Sequence, residues 1–357
     1  MRKWNFCAGP AVINEGVLKE AQEELLNWKN VGASVMEVSH RSKEFDQVAS
    51  EARQDLIDIL KIPENYEVLF LQGGATFQFS MLPMNFAHNG KPVAHIVSGT
   101  WSKKAEAEGS KIFPTEIISS SADKNFTYAP GVTELNADNY AYLHYAANET
   151  IHGVAYHEPP VSTLPLVSDM SSVILSEPIN IESFDFIYAG AQKNIGPAGL
   201  TIVIAKKEFL LNENDKLPNI LRYTKHAEND SMLNTPPTFA WYLSGKVFKW
   251  IKGLGGLDYF KEQNHLKAST LYNYIDSTEF YSNPVNKSDR SIMNVPFIIH
   301  DSSLDSIFLE ESKAAGLLNL KGHRSVGGMR ASIYNAMPIE GINELIAFMK
   351  EFEAKHG

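Results

Sequence analysis

Two residues stand where covalent chemistry is possible: Asp169, just beyond the apolar run Leu164–Val167, and Lys193, inside the turn Gly190-Ala-Gln-Lys-Asn-Ile-Gly-Pro-Ala-Gly199. A second β-like run, Phe184–Tyr188, leads into that turn, and a third, Leu200–Ala205, leaves it. Strands ending at an acid and then at a lysine put a carboxylate and an amine on the C-terminal edge of a parallel sheet, where open α/β sheets bind ligands. The small and apolar neighbours of Lys193 lower the pKa of its amine. Such an amine forms an imine with a carbonyl, and such an acid pairs with a ring nitrogen, the combination that pyridoxal phosphate chemistry requires. The plain alternative is a loop lysine and a strand-end aspartate with nothing between them.

Other groups converge on the same edge. The strand-like Glu67–Leu71 runs into Gln72-Gly-Gly-Ala-Thr-Phe-Gln78 and then a helix, a turn whose backbone N–H groups and helix dipole would face an anion. It is neither a Walker loop nor Gly-x-Gly-x-x-Gly, and such a turn can be mere geometry. Trp101 opens a helix past the strand Val93–Ser98, placed either to lie on a planar ring or to pack in the core. Thr150 closes the strand Ala141–Tyr145. The basic residues His40, Arg41, His323, Arg324 and Arg330 sit in three turns of an otherwise acidic chain, either as solvated charge or as a grip for carboxylate and phosphate.

The elements that must position these groups alternate. Helices are expected at Glu15–Trp28, with Val17, Leu18, Ala21, Leu25 and Trp28 on one face, and at Lys43–Leu60, stopped by Pro63. Strand, turn and helix then repeat through Lys111–Ser120 and Leu164–Val167, which predicts a mainly parallel sheet covered by helices. A polar span to Thr238 contains Asn234-Thr-Pro-Pro-Thr238 and leads into a helix at 239–251. Gly253-Leu-Gly-Gly256 is the candidate hinge, giving a lead-in segment 1–14, a large domain 15–255 and a smaller α+β domain 256–357.

The 357 residues, 44% hydrophobic and 21% charged, describe a soluble globular protein, and a net charge of −10 argues against general nucleic-acid binding. A single cysteine, Cys7, permits no intrachain disulfide and no cysteine-based metal site. MRKWNFCAGPAVI lacks a secretory apolar core and no long apolar run follows, so a cytoplasmic protein without a membrane partner is expected.

Five stretches carry a resemblance: Asn5-Phe-x-Ala-Gly-Pro10, Val38-Ser-His-Arg41, Phe184-x-x-Ile-Tyr-Ala-Gly-Ala-Gln-Lys-Asn-Ile-Gly-Pro197, Asn234-Thr-Pro-Pro-Thr238 and Gly328-Met-Arg-Ala-Ser-Ile-Tyr-Asn-Ala336. Together they resemble the phosphoserine aminotransferases, a branch of the class V aminotransferases with the pyridoxal phosphate fold type I, over essentially the whole chain. The resemblance implies that Lys193 carries the cofactor as an imine and moves the proton, that Asp169 holds the pyridine nitrogen protonated, and that Trp101 stacks on the ring. It implies phosphate contacts from Ala75, Thr76 and Gln192, with Asn234 and Thr235 reaching in from the neighbouring subunit of a homodimer, and Thr150 near the ring hydroxyl. Arg330 would grip the substrate α-carboxylate, while His40, Arg41, His323 and Arg324 would take the phosphate of phosphoserine or the distal carboxylate of glutamate. Some family members have arginine where this chain has Thr76, which leaves the anion more dependent on backbone N–H groups.

The implied reaction is reversible transamination of 3-phosphohydroxypyruvate with L-glutamate, giving O-phospho-L-serine and 2-oxoglutarate on the way to serine, with 3-hydroxy-4-phosphooxy-2-oxobutanoate of pyridoxine synthesis as a second substrate of the same shape. The alternatives are another class V enzyme of this fold, either a different aminotransferase or a lyase of the cysteine desulfurase kind, and a silent binding protein. A desulfurase needs a cysteine on a mobile loop, for which Cys7 in the N-terminal segment is poorly placed. Retention of Lys193, Asp169 and the arginines together argues against the silent scaffold.

Overall fold

In the computed structural model, which describes residues 2–132 and 135–357, the apolar runs become strands and the amphipathic stretches cover them. In chain order the main elements are α1 (Glu15–Glu23), α2 (Lys43–Leu60), β1 (Tyr66–Leu71), α3 (Gly74–Phe86), β2 (Val93–Val97), α4 (Thr100–Gly109), β3 (Thr115–Ser120), β4 (Leu143–Ala146), β5 (Leu166–Asp169), β6 (Phe186–Gly190) and β7 (Thr201–Lys206). They continue with α5 (Thr238–Gly253), α6 (Gly256–Asp276), β8 (Tyr281–Ser282), β9 (Asn294–Ile299), α7 (Asp305–Ala314), β10 (Met329–Ser332) and α8 (Ile339–His356).

The large sheet is seven-stranded, in the order β1-β7-β6-β5-β4-β2-β3. Neighbours from β6 to β3 run parallel, and β7 is antiparallel to both β6 and β1. The fold is therefore α/β with a mainly parallel mixed sheet, and its strands β4, β5 and β6 are buried along their whole length, as a sheet covered on both faces requires. Register lines the strand ends up: Thr201 pairs with Leu71 and with Gly190, and Asp169 pairs with Ala146 and with Tyr188.

The expected helix after every strand holds through α3 and α4 and then fails. From β4 to β7 the strands are joined by a short hairpin at Asn148–Glu149 and Val154–Ala155, turns and a 3-10 turn at Ile181–Ser183, and helices remote in sequence share a core with them, Trp241 and Phe45 with Tyr145, Ile187 and Ile202. Trp241 of α5 stacks on Phe70 of β1 at 4.4 Å and meets Phe45 of α2 edge-on at 6.1 Å. The first helix also stops early, at Glu23. The chain then bends so that Trp28 is buried edge-on against Tyr242, while Leu25, expected in the stripe, is exposed.

A second core is built from α6, α7, α8 and the sheet β8-β9-β10, with Phe308, Phe297 and Phe352 at its centre and Phe6 of the N-terminal segment inserted into it. Helix α6 serves both cores: Leu257 and Phe260 pack in the first, Ala268, Leu271 and Ile275 in the second. The expected hinge glycines form a helix–helix turn, with Gly255 at a φ of 104°. Among the described residues no helix is long and apolar enough to cross a membrane.

Lys267 of α6 is buried, and its Nζ donates to the carbonyls of Ile333, Tyr334 and Met337, each at 2.9 Å, fixing the segment that follows β10. Replacing it with methionine keeps the volume, strips the Ile333 and Met337 carbonyls of this donor and leaves the Tyr334 carbonyl only the Met337 N–H. Lys267→Met is expected to cost about 3 kcal/mol of unfolding free energy, seen as a lower urea midpoint. A shift under about 0.5 kcal/mol would mean those carbonyls find other partners.

Candidate active site

The aligned strand ends create a cleft of about 420 Å³, and the local sequence explains each wall. After β1 the chain turns at Gly73 and Gly74, whose φ values of 94° and 66° lie in the left-handed region. A Cβ on Gly73 would stand 2.6 Å from the Cβ of Phe77, so glycine is required there. Helix α3 begins at once with no side-chain cap, leaving the N–H groups of its first turn, Ala75 and Thr76 included, directed to the cleft. Gly190 ends β6 directly beneath them, and its missing Cβ would lie 3.4 Å from the Ala75 nitrogen. The result is a cradle for an anion.

Lys193 rises from the β6–β7 turn with its amine buried and donating to Thr150 Oγ1 at 2.8 Å. Burial brings its pKa down to about 8, against the upward pull of the Asp169 and Glu149 carboxylates. Asp169, at the end of β5, accepts from the Ser171 N–H at 2.9 Å, and Ser171 Oγ accepts from the Gly190 N–H at 3.0 Å. Burial pushes the Asp169 carboxyl up, while the Ser171 hydrogen bonds and the Lys193 charge draw it back.

Trp101 opens α4 with its indole on the cleft wall, Lys104 Nζ 4.5 Å from the ring centroid, and its Nε1 buried without a partner. Arg330 enters from β10, its Nη1 donating to the Thr150 carbonyl at 3.3 Å and its Nε likewise buried and unpartnered. A buried seam ties that strand, through β9, to the hairpin that follows β4: Asn148 Nδ2 donates to Asn294 Oδ1 at 2.8 Å, and Asn294 Nδ2 donates to Ser332 Oγ at 3.0 Å. Burial and the cations Arg330, Arg324 and Lys104 lower the pKa of His323.

Of the residues expected from sequence, Ala75, Thr76, Trp101, Thr150, Asp169, Gln192, Lys193, His323 and Arg330 line this one cleft. His40, Arg41, Asn234, Thr235 and Arg324 do not line it. Arg41, Asn234, Thr235 and Arg324 are exposed and His40 is half-buried, although the Thr235 carbonyl accepts from Gln72 Nε2 at 3.2 Å beside the glycine turn. Sequence reasoning passed over Asn148, Ser171 and Ser172, which also line the cleft. The serine pair one residue beyond the strand-end acid, after Met170, was the available signal for two of them.

A buried acid facing a buried amine, an indole on one wall and an uncapped helix start at one end fit a planar, phosphorylated, ring-nitrogen aldehyde such as pyridoxal phosphate. The unpartnered Arg330 and Trp101 nitrogens leave donors free for a carboxylate beside it.

Comparison with known proteins bears on the same chemistry. Residues 3–345 match the family Aminotransferase class-V. The chain is 51% identical to the phosphoserine aminotransferase of Hahella chejuensis, over 99% of each chain. Among solved structures it superposes on phosphoserine aminotransferase from Bacillus circulans subsp. alkalophilus with a TM-score of 0.97 at 42% identity, covering 100% of this chain and 99% of that one. The pyridoxal phosphate-bound phosphoserine aminotransferase of Trichomonas vaginalis follows with a TM-score of 0.93 at 39% identity, covering 98% and 100%.

Proposed function

The chain belongs to the aminotransferase class-V family, and we propose that it exchanges an amino group between L-glutamate and 3-phosphohydroxypyruvate, giving 2-oxoglutarate and O-phospho-L-serine. The observation that carries the reading is the meeting of Lys193, Asp169, Thr150, the α3 cradle and Arg330 in one cleft. When bound there, pyridoxal phosphate supplies the carbonyl for the amine and an electron-withdrawing ring that spreads negative charge away from the substrate Cα.

The residues divide the work. Lys193 Nζ, partly neutral at physiological pH, is the nucleophile that takes the cofactor, and afterwards the base that lifts the proton from Cα and redelivers it. Asp169 would sit opposite the ring nitrogen and hold a proton on it. Trp101, on the cleft wall, would cover the ring face and exclude water. The first turn of α3, Ala75 and Thr76, with Gln192 in the same cleft, would hold the phosphate, and Thr150 would meet the ring hydroxyl. Arg330 takes the α-carboxylate, which is common to both amino donors.

The two donors differ at their far ends, a phosphate in one and a carboxylate in the other, and both ends are anionic. His323 and Arg324 supply part of that recognition. His40, Arg41, Asn234 and Thr235 lie outside this protomer's cleft, which supports a homodimer in which each copy completes the other's site. A cytoplasmic place in serine formation, use of the related 3-hydroxy-4-phosphooxy-2-oxobutanoate, and a division into 15–255 and 256–357 belong to the same proposal.

The test is product formation. The purified protein with O-phospho-L-serine and 2-oxoglutarate should yield L-glutamate at least about tenfold faster than with L-aspartate or L-alanine as donor, since neither offers the phosphate. Equal or faster turnover of the unphosphorylated donors would assign the site to another aminotransferase.

The pKa of Lys193 gives an independent prediction. Only the neutral amine attacks a carbonyl, so the rate at which cofactor-free protein takes up pyridoxal phosphate should rise about tenfold per pH unit below 8 and level off above it. A stopped-flow absorbance series across that range checks it, and a flat profile would remove Lys193 as the attacking group.

A further inference from the structure

We propose that Glu149 is the positioning residue that sets Trp101 over the cofactor site, by capping the start of α4 from across the fold. It rests on the reading of Trp101 as the platform for the ring. Helix α4 begins at Thr100 with Gly99 before it, and Gly99 has no side chain with which to cap. The cap comes instead from the strand-like pair Asn148–Glu149, which forms a hairpin with Val154–Ala155. Glu149 Oε2 accepts from the Trp101 N–H at 2.9 Å; Oε1 accepts from the Ser102 N–H at 2.8 Å and from Ser102 Oγ at 2.6 Å.

Both carboxylate oxygens are thus used, and the residue is fully buried. A carboxylate with two helix-start N–H groups and a hydroxyl is a strong cap, because the dipole end of the helix favours the charge as well as the hydrogen bonds. Burial pushes the Glu149 carboxyl up, while these donors from Ser102 and Trp101 pull it back.

The surroundings are shaped around this contact. A Cβ on Gly99 would stand 2.4 Å from the Glu149 carboxyl carbon, so glycine at that position clears the carboxylate's path to the helix. Ser102 Oγ, while donating to Glu149, accepts from the N–H groups of Ser98 and Gly99 at 3.0 and 3.1 Å, which locks the strand-to-helix turn. At the other side, the Gly153 N–H donates to the Glu149 carbonyl at 2.8 Å and holds the hairpin. The backbone of Trp101 is therefore tied to the residue next to Thr150, whose hydroxyl receives the Lys193 amine. One side chain fixes the distance between the indole wall and the lysine.

Glu149→Gln keeps the shape but turns one oxygen into a donor, which cannot accept from a backbone N–H. The experiment compares wild type, Glu149→Gln, Trp101→Ala and the double variant, each prepared free of cofactor, by equilibrium dialysis against pyridoxal phosphate and by near-ultraviolet circular dichroism. Glu149→Gln should weaken pyridoxal phosphate binding about tenfold and change the aromatic dichroism. In the Trp101→Ala background the same substitution should add less than about twofold and leave the dichroism unchanged, because the group it acts through is gone.

Independent, multiplicative losses in the double variant would overturn the positioning role while leaving the proposed function in place. Trp101→Ala binding as tightly as wild type would remove the indole platform, and the Glu149 role with it. Ser102→Ala, which deletes the hydroxyl that donates to Glu149 and accepts from the Ser98 and Gly99 N–H groups but leaves the carboxylate and its two backbone donors, provides the milder variant: its smaller loss should also vanish in the Trp101→Ala background, and its persistence there would overturn the proposal even if Glu149→Gln failed to fold.

Discussion

Lys193→Ala should lose amino-group transfer by roughly four orders of magnitude while melting as cooperatively as the wild-type protein. The size follows from the two duties placed on one amine. It attacks the cofactor, and it moves the proton from Cα, a positioned acid–base step that alone contributes about 10²–10⁴-fold. The fold should tolerate the change because the amine is buried and its burial opposes its charge, so removing it relieves desolvation. The Thr150 hydroxyl loses a donor, but it borders the open cleft where water can replace it. Steady-state turnover within about tenfold of wild type would remove Lys193 from both roles.

Arg330→Ala is expected to lower kcat/KM by about 10²–10³ in both half-reactions, with glutamate and with phosphoserine alike. Truncating one partner of a buried, hydrogen-bonded charge pair costs about 2–5 kcal/mol, and the α-carboxylate is present on both donors. Arg330→Lys should recover only part of the loss, since a point charge cannot reproduce the planar fork. Rapid-mixing measurements on each half-reaction separate the readings. A loss confined to phosphoserine would move Arg330 from the α-carboxylate to the phosphate.

A helix with strong period and strong ends was legible in the sequence. Lys43–Leu60, followed by Pro63, falls at the expected residues. The early end of α1 was not legible, because Trp28 continues the helical spacing yet is buried by a bend that serves Tyr242. Nor was the helix-free run from β4 to β7, since Trp241, which shares a core with Tyr145, Ile187 and Ile202 of those strands, lies far along the chain.

The chemical centre was more readable than its supports. Asp169 and Lys193 stand out because a strand that stops at a charged residue has few structural reasons to do so. Ser171 and Glu149 do not, because their meaning lies in partners that sequence separation hides: Gly190 for the one, Trp101 and Ser102 for the other. Asn234 and Thr235 were singled out by resemblance alone, and in this chain both are exposed and lie outside the cleft.

The most direct measurement of the central claim is the visible absorbance of the cofactor-loaded protein during a single half-reaction, with L-glutamate in one cuvette and O-phospho-L-serine in another, and no keto acid in either. The account predicts that both amino acids bleach the visible band of the lysine-bound cofactor, and that 2-oxoglutarate restores it in both. A band that answers glutamate and stays unchanged with O-phospho-L-serine would contradict the account, because the site would then accept the shared carboxylate and reject the phosphate for which its basic residues are proposed.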